Sequence, residues 1–193
     1  MIMATYVNRQ IYLQKLIHRR DNGEVKIITG TRRCGKSWLL KKVYHDYLVS
    51  QGVPKKNIIM VSFDVDEDIT GEDLTNPMVL KRYLYSKIID EDASYYVFLD
   101  EIQMVEGFER IVNGLNAHDN VDVYITGSNS KFLSSDINTI FRGRGDEVRV
   151  YPFSFKEFCT DRSDSINELW KEYYTYGGMP ALRNHPTPEQ KVS

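Results

Sequence analysis

The sequence predicts an α/β fold in which a five-stranded parallel sheet is covered by helices on both faces. Two observations carry this. Five short runs rich in β-branched and aromatic residues alternate along the 193 residues with segments of helical apolar spacing, and such alternation builds parallel βαβ units. The clearest of these runs are also apolar almost throughout, rather than at alternate positions, as strands buried on both faces require.

The elements follow in order. Tyr6 to Arg20 reads as a helix with Ile11, Leu13, Leu16 and Ile17 as its apolar residues, ahead of a first strand over Val25 to Thr29. Beyond a glycine-bearing loop, Leu39, Leu40, Val43, Tyr44, Tyr47 and Leu48 recur at helical spacing until Gly52 and Pro54 mark the stop. Ile58 to Phe63 is the second strand run. Asn76-Pro77 starts a helix with Leu80, Leu84 and Ile88 on one face. Tyr95 to Leu99 forms the third strand, Val105, Phe108, Ile111, Val112 and Leu115 the next helix, Val121 to Thr126 the fourth strand and Glu147 to Tyr151 the fifth. Ser154-x-x-Glu157 and Ser165-x-x-Glu168 are capping boxes that open two late helices. The second of these helices carries Ile166, Leu169, Trp170, Tyr173 and Tyr174, a stripe suited to a core or to a docking surface. Residues 1–160 read as one core domain and 161–193 as a helical extension with a polar tail from His185.

Composition bounds the function. Hydrophobic residues make up 41% and charged residues 27%, a globular balance that excludes a chain disordered throughout. The net charge of −2 and pI near 6.1 give no overall footprint for nucleic acid. Lys41-Lys42, Lys55-Lys56 and the stretch from Arg142 to Arg149 can still gather into a basic patch, so nucleic acid stays a candidate partner that charge does not indicate. No charged-then-apolar leader and no run of about 18 apolar residues is present, and the chain is read as cytoplasmic, with no membrane contact. Cys34 and Cys159 have no near partner, and the four histidines are scattered, so neither a disulfide nor a zinc site is expected.

The chemistry concentrates at strand ends. Residues 30 to 37, Gly-Thr-Arg-Arg-Cys-Gly-Lys-Ser, match the phosphate-binding pattern G-x-x-x-x-G-K-[ST] without departure. Gly30 and Gly35 let the backbone turn tightly, so that N–H groups from Arg33 to Ser37 point inward at an anion. Lys36 reaches the β and γ phosphates, Ser37 offers a hydroxyl to magnesium, and the helix that follows adds the positive end of its dipole. Thr31, Arg32, Arg33, Cys34 and Trp38 complete the nucleotide-binding set. Cys34 itself reads either as a filler between functional residues or as a redox-sensitive thiol. Asp100 and Glu101 come where the third strand should end, which places Asp100 to hold magnesium and Glu101 to act as general base on an attacking water. At the fourth strand end, Asn129 or Ser128 is a candidate sensor of the γ phosphate, with ordinary turn chemistry as the alternative. Arg142 and Arg144 are candidate arginine fingers or solvated loop arginines. The acidic stretch Asp64, Asp66, Glu67 and Asp68 lacks the calcium-loop pattern and reads as a solvated loop.

Taken together, these features resemble a P-loop ATPase of the AAA+ superfamily, and more narrowly the bacterial and archaeal group whose nucleotide domain usually precedes a C-terminal domain of unknown function. Besides the loop, the likeness rests on Phe98-Leu99-Asp100-Glu101-Ile102-Gln103, Ile125-Thr126-Gly127-Ser128-Asn129-Ser130, Arg142-Gly143-Arg144, Tyr151-Pro152-Phe153-Ser154-Phe155-Lys156-Glu157-Phe158 and Tyr176-Gly177-Gly178-Met179-Pro180. It implies an α/β P-loop NTPase fold with ATP and Mg2+ as ligands, and it associates the second acid, Glu101, with hydrolysis. It further implies that the fourth strand lies between the loop strand and the acidic strand, and that the lead-in helix before the first strand lines the adenine, with Tyr6, Val7 and Arg9 as candidate base contacts and a plain packing helix as the favoured alternative. Such proteins usually continue past the Gly-Gly-x-Pro segment, whereas this chain stops at Ser193, so a following domain or a protein partner is expected. Some relatives form rings in which one subunit lends an arginine to the next; others work as monomers or dimers. The leading function is therefore ATP hydrolysis that drives a conformational switch. The alternatives are a nucleotide-gated binding module with little hydrolysis and a small-molecule kinase, against which the paired acids count.

Overall fold

The computed structural model describes residues 7–64, 71–127, 141, 143 and 145–184. Strands β1 (Val25–Thr29), β2 (Ile58–Ser62), β3 (Tyr95–Asp100), β4 (Val121–Thr126) and β5 (Gly145–Arg149) form one sheet in the spatial order β2-β3-β4-β1-β5. Every neighbouring pair is parallel. The loop strand β1 thus has β4 on one side, and β4 separates it from the acidic strand β3.

The fifth strand begins two residues earlier than its sequence suggests. Val25 pairs with Gly145 and Thr29 with Arg149. Its opening Gly-Asp-Glu carries no apolar signal because β5 is an edge, paired on one side and mostly open to water. Gly145 suits the position: a Cβ there would lie 2.7 Å from Ile27 Cδ1.

Alternation along the strands sorts the core into two faces. On one, Ile28, Tyr96, Phe98 and Tyr124 pack against Tyr12, Leu13 and Leu16 of α1 (Gln10–Arg19) and against Leu39, Leu40, Val43 and Tyr44 of the helix after the loop. That helix is not uniform: α2 (Lys36–Trp38) passes into a π-helical stretch (Leu39–Tyr44) and then into α3 (His45–Ser50). On the other face, Ile27, Val97, Leu99, Val123 and Ile125 meet Leu80 and Leu84 of α4 (Pro77–Lys87) and Ile111, Val112 and Leu115 of α5 (Phe108–Leu115). Helix α1 is shorter than the sequence suggests, because Arg9 is left-handed (φ 46, ψ 46) and the helix begins only at Gln10.

Both capping boxes form, at Ser154 before α6 (Phe155–Phe158) and at Ser165 before α7 (Ile166–Tyr176). Phe158 and Leu169 from these helices join Val7 and Phe153 in a small third cluster. The aromatic stripe divides: Tyr173 packs on Phe155 and Phe158, the half-exposed Trp170 meets Phe155 edge-on, and Ile166 and Tyr174 face outward.

A polar network is buried at the sheet end away from the phosphate loop. The fully buried Lys26 pairs with Asp122, which also accepts from the Tyr124 hydroxyl at 2.6 Å and from the Asp21 amide at 3.0 Å. The Tyr124 and Tyr44 hydroxyls meet at 2.6 Å and so tie β4 to the loop helix.

Burial pushes the Tyr44 and Tyr124 hydroxyls well above the ordinary tyrosine value of 10.0 and pushes Tyr96 up to about 12. The unfolded chain therefore gives up these protons first as pH rises. Their contribution to stability is fully present below pH 10.0 and is lost as pH climbs from there toward about 12. Thermal unfolding followed across this range should show a falling Tm, with part of the phenolate absorbance appearing only as the chain unfolds; a Tm that stays flat through the range would contradict the network.

Candidate active site

The loop between β1 and α2 is shaped by its neighbours as much as by its own glycines. A Cβ on Gly30 (φ 143) would lie 2.2 Å from the Val150 carbonyl oxygen, so the close pass of the loop under the end of β5 admits only glycine. Arg33 and Gly35 take left-handed φ values of 65 and 99, a turn of the kind that aims successive N–H groups at an anion. Lys36 is buried and curls back over the loop, its ammonium donating to the Gly30 and Thr31 carbonyls at 3.2 Å each.

Asp100 lies where β3 ends, only 1% exposed. Its Oδ1 accepts from Ser37 Oγ at 2.9 Å and from Thr126 Oγ1 at 2.6 Å, so one carboxylate oxygen joins β3, β4 and the loop helix. Its Oδ2 lies 2.7 Å from Lys41 Nζ. Thr126 Oγ1 in turn accepts from the Glu101 amide at 2.9 Å. Glu101 is left-handed (φ 58, ψ 43), a conformation that costs a non-glycine residue about 1 kcal/mol and is commonly kept where geometry serves a site. Gln103 Nε2 donates to Glu101 Oε2 at 2.5 Å, and Lys36 Nζ lies 3.8 Å from Glu101 Oε1. Lys36, Ser37, Glu101 and Gln103 line one cavity of about 940 Å³, with Arg32, Arg33 and the half-exposed Trp38 among its other walls.

The structure therefore gathers Lys36, Ser37, Asp100 and Glu101 as neighbours. Thr31, Arg32 and Arg33 are exposed along the loop. Cys34 is fully buried, its sulfur 3.4 Å from the Val150 carbonyl, which makes it a packing residue shielded from oxidants. Asn129, Arg142 and Arg144 lie outside the described residues, as do Tyr6, Ser128, Asp66, Glu67 and Asp68. Val7 and Arg9 do not stand open to a base: Val7 packs on Phe153, Phe158 and Leu169, and Arg9 is 2% exposed.

Arg9 has a different task. Its guanidinium donates to the Cys34 carbonyl of the loop at 2.8 Å, to the Tyr151 carbonyl at 2.8 Å and to Glu157 at 3.2 Å, between the rings of Tyr12 and Phe153. One planar fork thus fastens the phosphate loop to the segment after β5. Arg9, Lys41 and Gln103 are the contributors that sequence reasoning missed. Lys41 was within reach, one helical turn beyond Ser37; for Arg9, whose partners lie as far as 148 residues away, no local signal exists.

The donors at Asp100 suit magnesium. Hydroxyl and carboxylate oxygens are the hard ligands this ion prefers, and it is held by few protein groups together with phosphate oxygens and water. Asp100 Oδ2 is buried with the Lys41 ammonium beside it and no hydrogen bond from the described residues, an acceptor oxygen that a metal could take in place of that ammonium. Among those residues, no group of three or more His, Cys, Asp or Glu side chains can hold a metal, and no helix is long and apolar enough to cross a membrane.

Residues 22–159 match the profile of the AAA domain. An uncharacterised protein of Haemophilus influenzae is 38% identical over 181 residues, covering 91% of this chain and 44% of that protein. An uncharacterised protein of Methanocaldococcus jannaschii is 30% identical over 193 residues, covering 93% and 40%. The chain therefore spans less than half the length of these relatives. Among solved structures, that of C. elegans PCH-2 matches with a TM-score of 0.56 at 13% identity, over 96% of this chain and 62% of that one, a likeness of fold.

Arg9→Ala should lower stability by about 3 kcal/mol, because it removes a buried guanidinium, its hydrogen bonds to the Cys34 and Tyr151 carbonyls and its ion pair with the partly buried Glu157. Arg9→Lys should recover little, since an ammonium cannot reproduce the fork. Denaturant unfolding of the three proteins checks this, and a loss below about 1 kcal/mol for the alanine variant would show that the clamp contributes little.

Proposed function

The chain belongs to the AAA domain family, and from that premise we propose that it binds ATP and hydrolyses it with magnesium, the bound nucleotide setting a conformation. The observation that supports this best is the meeting of Lys36, Ser37 and Glu101 at one cavity, with Asp100 hydrogen-bonded to Ser37 behind it.

In this reading the loop N–H groups and Lys36 hold the phosphates. Ser37 and Asp100 would hold magnesium, which would supply positive charge against the phosphates. Glu101 accepts a proton from the water whose oxygen attacks the γ phosphorus, while the bond to the departing ADP oxygen breaks in line. Gln103 keeps the Glu101 carboxylate turned toward the cavity. Asn129 as γ-phosphate sensor and Arg142 or Arg144 as finger belong to the proposal on the strength of the sequence. So do an ATPase core over 1–160, an extension over 161–193 leading to a further domain or partner that receives the switch, and a cytoplasmic setting. One observation favours the gated-module alternative: Gln103 and Lys36 both restrain Glu101, which would slow a base.

Phosphate release from ATP with magnesium separates the two. The wild type should turn over; Glu101→Gln should bind ATP yet release phosphate about 100-fold more slowly or worse. Lys36→Ala should weaken binding about tenfold or more, as loss of a charge-assisted phosphate contact does. Release by Glu101→Gln at the wild-type rate would remove Glu101 from the role of base, and binding without release by the wild type would favour the gated module.

A further inference from the structure

Asp100 carries a cation partner, Lys41, that neither the phosphate-loop pattern nor the paired acids announce. Its Oδ1 is committed to the hydroxyls of Ser37 and Thr126, which leaves Oδ2 as the oxygen a cation can reach. The Lys41 ammonium lies 2.7 Å from it, so the two form an ion pair. The two ends also differ in depth. The Asp100 side chain is 2% exposed, whereas that of Lys41 is 33% exposed and sits on a flexible four-carbon stem, so the ammonium can turn to water without any change in the sheet.

We propose that Lys41 is a built-in counter-ion for Asp100 and that magnesium displaces it when nucleotide binds, so that Lys41 sets the magnesium dependence of nucleotide binding. The inference rests on the ATP and magnesium reading above. A buried carboxylate needs a cation, and Lys41 supplies one. Magnesium, or a water in its shell, would compete with the ammonium for the same oxygen. Two cations so close also repel. Lys41 therefore raises the magnesium concentration at which the site fills, while it keeps the site folded before it fills. It is a positioning residue, because it acts on Asp100 and not on the reacting atoms.

The test measures ATP affinity with chelator and at rising magnesium for the wild type, Lys41→Met and Lys41→Gln. Both variants should need several-fold less magnesium for half-saturation and should gain more affinity from it than the wild type does. A magnesium requirement that stays the same or rises in both variants overturns the proposal, since Lys41 would then assist the metal or ignore it. A second measurement needs no nucleotide: Lys41→Met should lower the Tm of the wild type by about 4 °C, as loss of roughly 1 kcal/mol does, yet leave that of Asp100→Asn unchanged. Equal loss in both backgrounds overturns the counter-ion. If the wild type binds no ATP in either condition, the nucleotide reading fails, and this cycle alone decides on Lys41.

Discussion

One buried carboxylate organises this molecule. Asp100 stands at the carboxyl end of a strand covered on both sides, where an unpaired charge costs several kcal/mol. Its neighbours are therefore constrained in kind. Ser37 brings the start of the loop helix, Thr126 brings the end of β4, and Lys41 brings a cation from the same helix. The strand order, with β4 between β1 and β3, is what lets Thr126 and Ser37 reach the same oxygen. Structure and chemistry coincide here: the contacts that make the acid tolerable also place it beside the loop, where a metal on phosphates would sit.

A second constraint acts on the loop from behind. Arg9 leaves the helical region, enters the protein and satisfies the Cys34 carbonyl, the Tyr151 carbonyl and the Glu157 carboxylate at once. Glu157 is also the acid of a capping box, bound to Ser154 at the start of α6. A shift of the Cys34 carbonyl is thus felt at α6 through a single rigid fork. Gly30, pressed against the Val150 carbonyl, adds a contact between the loop and the same segment. The loop is held by two sets of contacts, one facing the acids and the other facing the C-terminal helices.

Much of this was legible in the sequence, for identifiable reasons. β1 and β4 fall where their runs place them, because most of their positions are apolar and the charged residues they carry, Lys26 and Asp122, are buried as a pair inside the sheet. The phosphate loop is local backbone chemistry, written in consecutive residues, and the paired acids mark a strand end for the same reason. The edge strand β5 was misplaced because its first residues face water. The π-helical stretch after Trp38 has no signature in spacing that differs from an ordinary amphipathic helix. Arg9 reads from the sequence as a candidate base contact or as part of a plain packing helix, and its clamp is not legible there because its partners are distant in sequence and only folding brings them together. Lys41 reads from the sequence as one member of a candidate basic patch, because its charge is weighed there without its position one turn beyond Ser37.

The account stands on the loop, the acids and the counter-ion forming a nucleotide site. Equilibrium dialysis of the wild-type chain against labelled ATP, with magnesium and then with chelator, tests this most directly. The account predicts a single saturable site per chain whose affinity falls when magnesium is removed. ATP that fails to bind above background in either condition would contradict it.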